Sequence, residues 1–359
     1  MKADPRYHAC IIAGGSGERL WPMSRSGEPK HLLRLFSERT LLEETILRLK
    51  GVVADGNVWI ITGEAQVALI QAAIPWFPSD RIVGEPAKRD TAPAAALATG
   101  LVRARDPEGV LALLPADALI KNTKRFGEQL SQALGWAEAT GNGGASLLTF
   151  AVPASYPATG YGYLELGPEM AKAADGSRLL GVKRFVEKPD EATARGYLAD
   201  GNYAWNSGIF VWGVGRFLAE AERTAPELGA FVRDFPKGDP SRYLAERFAK
   251  LTKVSVDYAI LEKAGSVATV LADFDWDDVG AWTSLPKHLP AGESGNVLRG
   301  PVVAVDTSNT IAVSNGRVIA LCGVKDLVVV ETADAVLVCH RDAVQDIKKL
   351  LPQLPKEVK

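Results

Sequence analysis

Over the first 150 residues, short unbroken apolar runs alternate with longer segments that are apolar on one face only. Tyr7–Ala13, Val58–Thr62, Arg81–Gly84, Val110–Leu114 and Ser146–Val152 have the length and branched composition of buried strands. Between them lie helical segments. A capping box, Thr40-Leu41-Leu42-Glu43, opens a helix to about Lys50, followed by helices over 64–73, an alanine-rich 94–104, and 126–139. Buried strands separated by helices predict βαβ units in a sheet covered on both faces, an α/β fold. Sites in such sheets lie beyond the carboxyl ends of the strands.

After Pro153 the pattern loosens. Tyr156–Leu166, Leu179–Val186 and Gly208–Trp212 read as strands, with a helix near 191–198, and extend the sheet with mixed pairing. Helical segments fill roughly 216–261, and a strand follows at Val267–Leu271. From about Gly295 the texture changes again. Val302–Asp306, Thr310–Val313, Val318–Leu321, Leu327–Glu331 and Ala335–Val338 are short strands at regular spacing, with turns such as Asn315-Gly316 between them. They predict a small β-rich appendage like one coil of a β-helix, closed by a helix near 343–351. The chain is thus expected to divide into residues 1–286 and 287–359.

With 359 residues, 47% of them hydrophobic, the chain can bury a large core. Its 41 basic and 43 acidic side chains nearly cancel. This excludes a general attraction to nucleic acid or anionic membrane, and any polyphosphate site must be locally basic. The three cysteines, Cys10, Cys322 and Cys339, sit in apolar runs and are expected to be buried thiols. Their spacing matches neither a metal site nor a disulfide framework, which suits a reducing, cytoplasmic setting. No apolar run is long enough to cross a membrane, and the one at the N-terminus is too short for a signal peptide. The four histidines are scattered and are assigned no role.

The chemistry concentrates in Cys10–Leu33, CIIAGGSGERLWPMSRSGEPKHLL. A strand runs into Gly14, Gly15, Ser16 and Gly17, whose amides can approach a bulky anion closely. Arg19 follows, and Lys30 arrives after a Pro-containing turn. Fixed amides with a guanidinium and an ammonium suit a polyphosphate. No Lys-Ser or Lys-Thr follows Gly17, so this is not a P-loop. A dinucleotide fingerprint fails too, since Leu20 stands where Gly or Ala is needed and Pro22 breaks the following helix.

This run resembles the signature of the sugar-1-phosphate nucleotidylyltransferases, in detail their mannose-1-phosphate guanylyltransferase branch. Five later motifs extend the resemblance as far as Trp282: Gly84-Glu85-Pro86-Ala87-Lys88-Arg89-Asp90-Thr91, Pro115-Ala116-Asp117, Thr159-Gly160-Tyr161-Gly162-Tyr163, Glu187-Lys188-Pro189 with Asn206-Ser207-Gly208, and Trp276-Asp277-Asp278-Val279-Gly280-Ala281-Trp282. The resemblance implies a Rossmann-like mixed sheet and the reaction of GTP with mannose 1-phosphate, giving GDP-mannose and pyrophosphate. It implies that Arg19 and Lys30 act on the phosphates beside Gly14, Gly15, Ser16 and Gly17. Asp117 and Asp278 would hold one Mg²⁺.

By the same resemblance, Glu85, Arg89, Asp90 and Thr91 line the base pocket, and an acceptor at Glu85 or Asp90 suits the N1–H and amino group of guanine. Gly160, Tyr161, Gly162, Glu187, Asn206 and Ser207 would face the sugar, and Lys188 its phosphate. Three positions depart from the family pattern: Asp90 stands where many members carry Asn, Ala118 where they carry His, and Ala281 where they carry Ser. Asp277 falls at a variable position and is given no role, while Trp276, Trp282 and Trp205 are read as packing residues. The tail resembles that of guanylyltransferases lacking an isomerase domain, and a homodimer through the appendage is expected. Two rivals stand beside this reading. One is the same chemistry on UTP or dTTP with glucose 1-phosphate; the other is a catalytically silent regulatory homologue, which the retained charged residues disfavour.

Overall fold

The computed structural model describes residues 4–139, 146–292 and 294–359. They form two compact units that do not follow chain order. The first comprises the stretch up to Ala13, Thr45–Ala116 and Ile120–Trp276; the second comprises Gly14–Glu44, Asp117–Leu119 and Asp277–Lys359.

The first unit is built on β1 (Tyr7–Ala13), β2 (Val58–Gly63), β3 (Ile82–Glu85), β4 (Val110–Pro115), β5 (Leu147–Pro153), β6 (Gly162–Lys172), β7 (Arg178–Glu187), β8 (Tyr203–Gly213) and β9 (Val267–Leu271). These make one nine-stranded sheet in the order β3-β2-β1-β4-β8-β5-β9-β7-β6. Strands β3, β2, β1 and β4 are parallel, and β8 enters antiparallel between β4 and β5. Ile12 lies opposite Pro115, so β1 and β4 end side by side, one releasing the chain into the glycine turn and the other into Asp117.

Two strands differ from the sequence expectation. β6 begins at Gly162 rather than near Tyr156 and runs on to Lys172. β8 begins at Tyr203 rather than Gly208, because Asn206-Ser207-Gly208 form a bulge: pairing shifts from Thr149 opposite Phe210 to Ala151 opposite Asn206.

Helices α1 (Leu41–Leu47), α2 (Val67–Ala73), α3 (Thr91–Arg105), α4 (Thr123–Ala139), α5 (Glu191–Asp200), α6 (Val214–Thr224), α7 (Pro226–Arg233), α8 (Ser241–Arg247) and α9 (Val256–Ala259) follow the strands. The capping box of α1 closes reciprocally: Thr40 N donates to Glu43 Oε2 at 2.8 Å, and Glu43 N to Thr40 Oγ1 at 3.1 Å. Helix α3 is buried from Ala92 to Val102 on every side, since its small side chains let α6, α7 and α9 pack closely. The main core includes Trp212, Phe217 and Phe231, with the Trp212 indole donating to Thr99 Oγ1 at 3.1 Å.

The second unit contains β10 (Val297–Arg299), β11 (Val302–Val305), β12 (Ile311–Ser314), β13 (Ile319–Cys322), β14 (Leu327–Glu331), β15 (Val336–His340) and α10 (Ile347–Leu350). β10, β12 and β14 stack in one parallel ladder and β11 and β13 in another, the arrangement of successive β-helix coils; β15 closes the first ladder antiparallel. The expected closing helix is mostly 3-10 in character, with α10 its α-helical turn. Leu20, Trp21, Leu33 and Leu35, all from the segment after β1, share one core with Trp282, Val297, Ile311 and Val328. The Trp21 indole donates to Val358 O at 2.7 Å, and the Trp282 indole to Trp21 O at 3.0 Å.

The cysteines only partly meet expectation: Cys10 is buried and Cys339 half-buried, but Cys322 is exposed because its face of β13 looks outward. Among the described residues, no helix is long and apolar enough to cross a membrane.

Candidate active site

Within the second unit, Gly14–Gly17 turn the chain directly after β1. Gly17 has φ +63°, and a side chain there would collide with the Lys30 stem and approach Ser24 Oγ to 2.7 Å. Only glycine allows both the left-handed backbone and that close approach. Ser24 Oγ donates to Ser16 O at 2.6 Å and ties the turn down. Lys30 is thereby driven inward and is only 6% exposed. Its ammonium lies 2.8 Å from Asp117 Oδ2 and donates to the backbone O of Asp278. A Cβ on Gly15 would fall 3.5 Å from Asp117 Oδ2, and one on Gly280 2.7 Å from Asp278 Oδ2 and 3.4 Å from an Arg19 guanidinium nitrogen. Arg19 also donates to Gln345 Oε1 at 2.9 Å. The sequence-predicted Gly14, Gly15, Ser16, Gly17, Arg19, Lys30, Asp117 and Asp278 thus form one cluster.

The remaining predicted residues belong to the first unit. Glu85 ends β3 with its Oε1 buried and unpartnered, and burial pushes its carboxyl up to about 7. Asp90, at φ +70°, caps α3 by accepting from Thr91 N at 2.8 Å. Thr91 Oγ1 accepts from Val256 N at 2.9 Å, and Arg89 donates to Ala249 O. Asp90, Thr91 and Arg89 therefore hold the loop, while Glu85 is the group with an unused acceptor.

At the far end of the sheet, Gly162 pairs with Glu187, and a Cβ there would lie 2.6 Å from Glu187 Oε2. Lys188, at φ +46°, reaches back to Glu187 Oε1 at 2.6 Å, and its own N–H donates to Tyr161 O. Burial pulls the Lys188 ammonium down, but the Glu187 hydrogen bond and the charges of Glu187 and Asp257 outweigh it, and the net shift is upward. Asn206 Oδ1 accepts from Thr149 Oγ1 at 2.6 Å, and its Nδ2 donates to Asp257 Oδ1 at 3.3 Å. Ser207 is buried and accepts from Ile209 N, so it supports the bulge. Gly160 is exposed and Tyr161 half-buried. Trp205 is buried against Tyr156 and Tyr161, as expected of a packing residue; Trp276 is only half-buried, its ring edge-on to Tyr161.

Two family models match the chain. Residues 8–293 match the nucleotidyl transferase family and 300–354 the mannose phosphate isomerase/GMP-like β-helix domain. The mannose-1-phosphate guanylyltransferase of Escherichia coli K12 is 37% identical over 361 residues, covering 98% of this chain and 74% of that protein. The chain belongs to the mannose-1-phosphate guanylyltransferase family. The alginate biosynthesis protein AlgA of Pseudomonas aeruginosa is 36% identical over 350 residues, covering 96% of this chain and 71% of that protein. A solved structure from Thermus thermophilus, named a mannose-1-phosphate geranyltransferase, superposes with a TM-score of 0.84 at 33% identity, over 97% of this chain and 99% of that one.

Within this family member, sequence reasoning missed Asp257. It stands on α9, half-buried, with Asn206, Glu187 and Lys188 around it; loss of solvent first, and the Glu187 charge second, push its carboxyl up to about 7. The neighbouring Val256 N–H is the one held by Thr91, so α9 links the Arg89–Thr91 loop to the Asn206 bulge. The only signal in the sequence was an acid just after a helix-capping Ser255, which reads as an ordinary helix start.

Proposed function

We infer that this chain transfers GMP from GTP to mannose 1-phosphate, giving GDP-mannose and pyrophosphate. Lys30 carries the reading: a buried ammonium on Asp117 and the Asp278 carbonyl, beside a glycine turn and Arg19. A phosphate oxygen of mannose 1-phosphate attacks the α-phosphorus of GTP. A P–O bond forms there as the bond to the β-phosphate oxygen breaks, and pyrophosphate leaves with the electron pair. Lys30, Arg19 and the turn amides orient the phosphates and offset their charge, and no side chain becomes bonded to substrate.

The donor set beside Lys30 fits a hard divalent cation, because two carboxylates leave room for phosphate oxygens and water in an octahedral shell. Asp117 and Asp278 would hold Mg²⁺ there. Bound in that place it supplies positive charge against the phosphates and the departing pyrophosphate. Glu85 suits guanine, whose N1–H and amino group would satisfy its buried acceptor; Glu187 suits sugar hydroxyls and Lys188 the sugar phosphate.

A second copy of the chain is proposed to cover the appendage, where Val303, Val305 and Val318 are each more than half exposed on β11 and beside β13. A strictly monomeric chain by light scattering at micromolar concentration would reject this. A reducing cytoplasm suits the exposed free thiol of Cys322.

Pyrophosphate release measured across pairs of nucleotide and sugar phosphate tests the activity. GTP with mannose 1-phosphate is expected to be fastest. Faster release from UTP or dTTP with glucose 1-phosphate, or none from any pair, would overturn the reading.

A further inference from the structure

Asp277, assigned no role from sequence, is buried to 6% exposure beside the phosphate cluster. Its backbone pairs with Leu119, two residues beyond Asp117. Its Oδ1 accepts from Val279 N at 2.7 Å, while Oδ2 lies 3.1 Å from His288 Nε2 and 3.4 Å from Lys287 Nζ. Val279 is a buried β-branched residue at φ +49°, a conformation such residues avoid unless it is held in place.

The N–H of Val279 and the C=O of Asp278 belong to one trans peptide and point in opposite directions. Asp277 holds the N–H, and the Lys30 ammonium holds the C=O. We propose that Asp277 is a positioning residue: its carboxylate clamps the Asp278–Val279 peptide from the side opposite Lys30, and so fixes both the ammonium and the Asp278 carboxylate for phosphate and metal. His288 and Lys287, both beside Oδ2, orient the clamp. Without it, the strained Val279 peptide is free to rotate, Lys30 loses one of its two anchors, and Asp278 swings with the peptide.

This rests on the reading of Asp278 as a metal ligand, so Asp278→Asn is measured alongside. The probes are Mn²⁺ alone, followed by electron paramagnetic resonance, and guanylyl transfer resolved into kcat and KM. Asp277→Ala is expected to lower kcat at least tenfold and weaken Mn²⁺ binding by a similar factor, with both substrate KM values within about threefold of wild type. Asp277→Asn keeps an oxygen for Val279 N–H and is expected to retain at least a third of kcat. Should the alanine variant not fold, Asp277→Leu, which fills the same space without an acceptor, replaces it. If the clampless variant keeps wild-type kcat and Mn²⁺ affinity while Asp278→Asn loses both, the proposal is wrong. If Asp277→Asn falls as far as Asp277→Ala, the peptide clamp is wrong. Wild-type Mn²⁺ binding by Asp278→Asn would instead refute the ligand role of Asp278 itself.

Discussion

Leu119 and Asp277 exchange two backbone hydrogen bonds, of 2.8 and 3.0 Å. That single antiparallel bridge joins the segment just past Asp117 to the residue just before Asp278. The Asp117 carboxylate and the Asp278 backbone carbonyl, far apart in the chain, thereby meet at one ammonium, that of Lys30.

Both carboxylates are expected to be needed for turnover. Asp117→Asn and Asp278→Asn each remove charge with little change of shape, and each should lower kcat about a thousandfold, a barrier increase of about 4 kcal/mol. Raising Mg²⁺ should restore part of the lost rate. Steady-state kinetics over a Mg²⁺ series checks this, and a loss below tenfold in either variant would remove that residue from the site.

Gly17→Ala should destabilise the second unit and misplace Lys30 together. The left-handed backbone costs about 1–3 kcal/mol for a non-glycine residue, and the new methyl would also push on the Lys30 stem and Ser24. Calorimetry should show a melting temperature lowered by several degrees, and kcat should fall more than the lost stability explains. An alanine variant with unchanged melting and turnover would refute this account of the turn.

Glu85 offers a prediction whose two parts have opposite signs. Its carboxyl is raised from 4.5 to about 7 by burial, so between those values the folded chain holds a proton the unfolded chain has lost. Stability from this group is therefore full below about pH 4.5, falls as pH rises through that window, and stays reduced above it. Glu85→Gln should raise the melting temperature at pH 8, by up to roughly 3 kcal/mol of stability, and leave it unchanged near pH 4. The same change should weaken GTP about tenfold, because the amide replaces one acceptor of guanine's donors with a donor. Equal melting shifts at both pH values would contradict the burial argument.

Lys188→Ala should raise KM for mannose 1-phosphate about tenfold, or ~1.4 kcal/mol, and leave KM for GTP within twofold. The effect is kept to this size because the Lys188 side chain is 62% exposed and solvent screens its charge. Equal weakening of both substrates would reject its assignment to the sugar phosphate.

By itself the sequence determined the parts that depend on near neighbours. The short, branched apolar runs of β1, β2 and β4 suit buried strands by length and composition, and Thr40 with Glu43 could close a capping box from three residues apart. Gly17, Lys30, Asp117 and Asp278 were legible because a resemblance attached chemistry to short motifs, and the structure does gather those four residues.

What only the tertiary structure decided are relationships between distant segments, for which local spacing carries no information. Leu20, Trp21 and Leu33 join the core of the C-terminal strands because their apolar side chains find cover there, and nothing in Gly14–Glu44 announces that partner. Asp257 becomes a group raised to about 7 only because folding buries it beside Glu187. Asp277 read as the dispensable member of an acidic pair. Burial against Val279, Lys287 and His288 makes it the residue that holds Asp278 in place, because a side chain's role follows from what folding puts within hydrogen-bond reach of it.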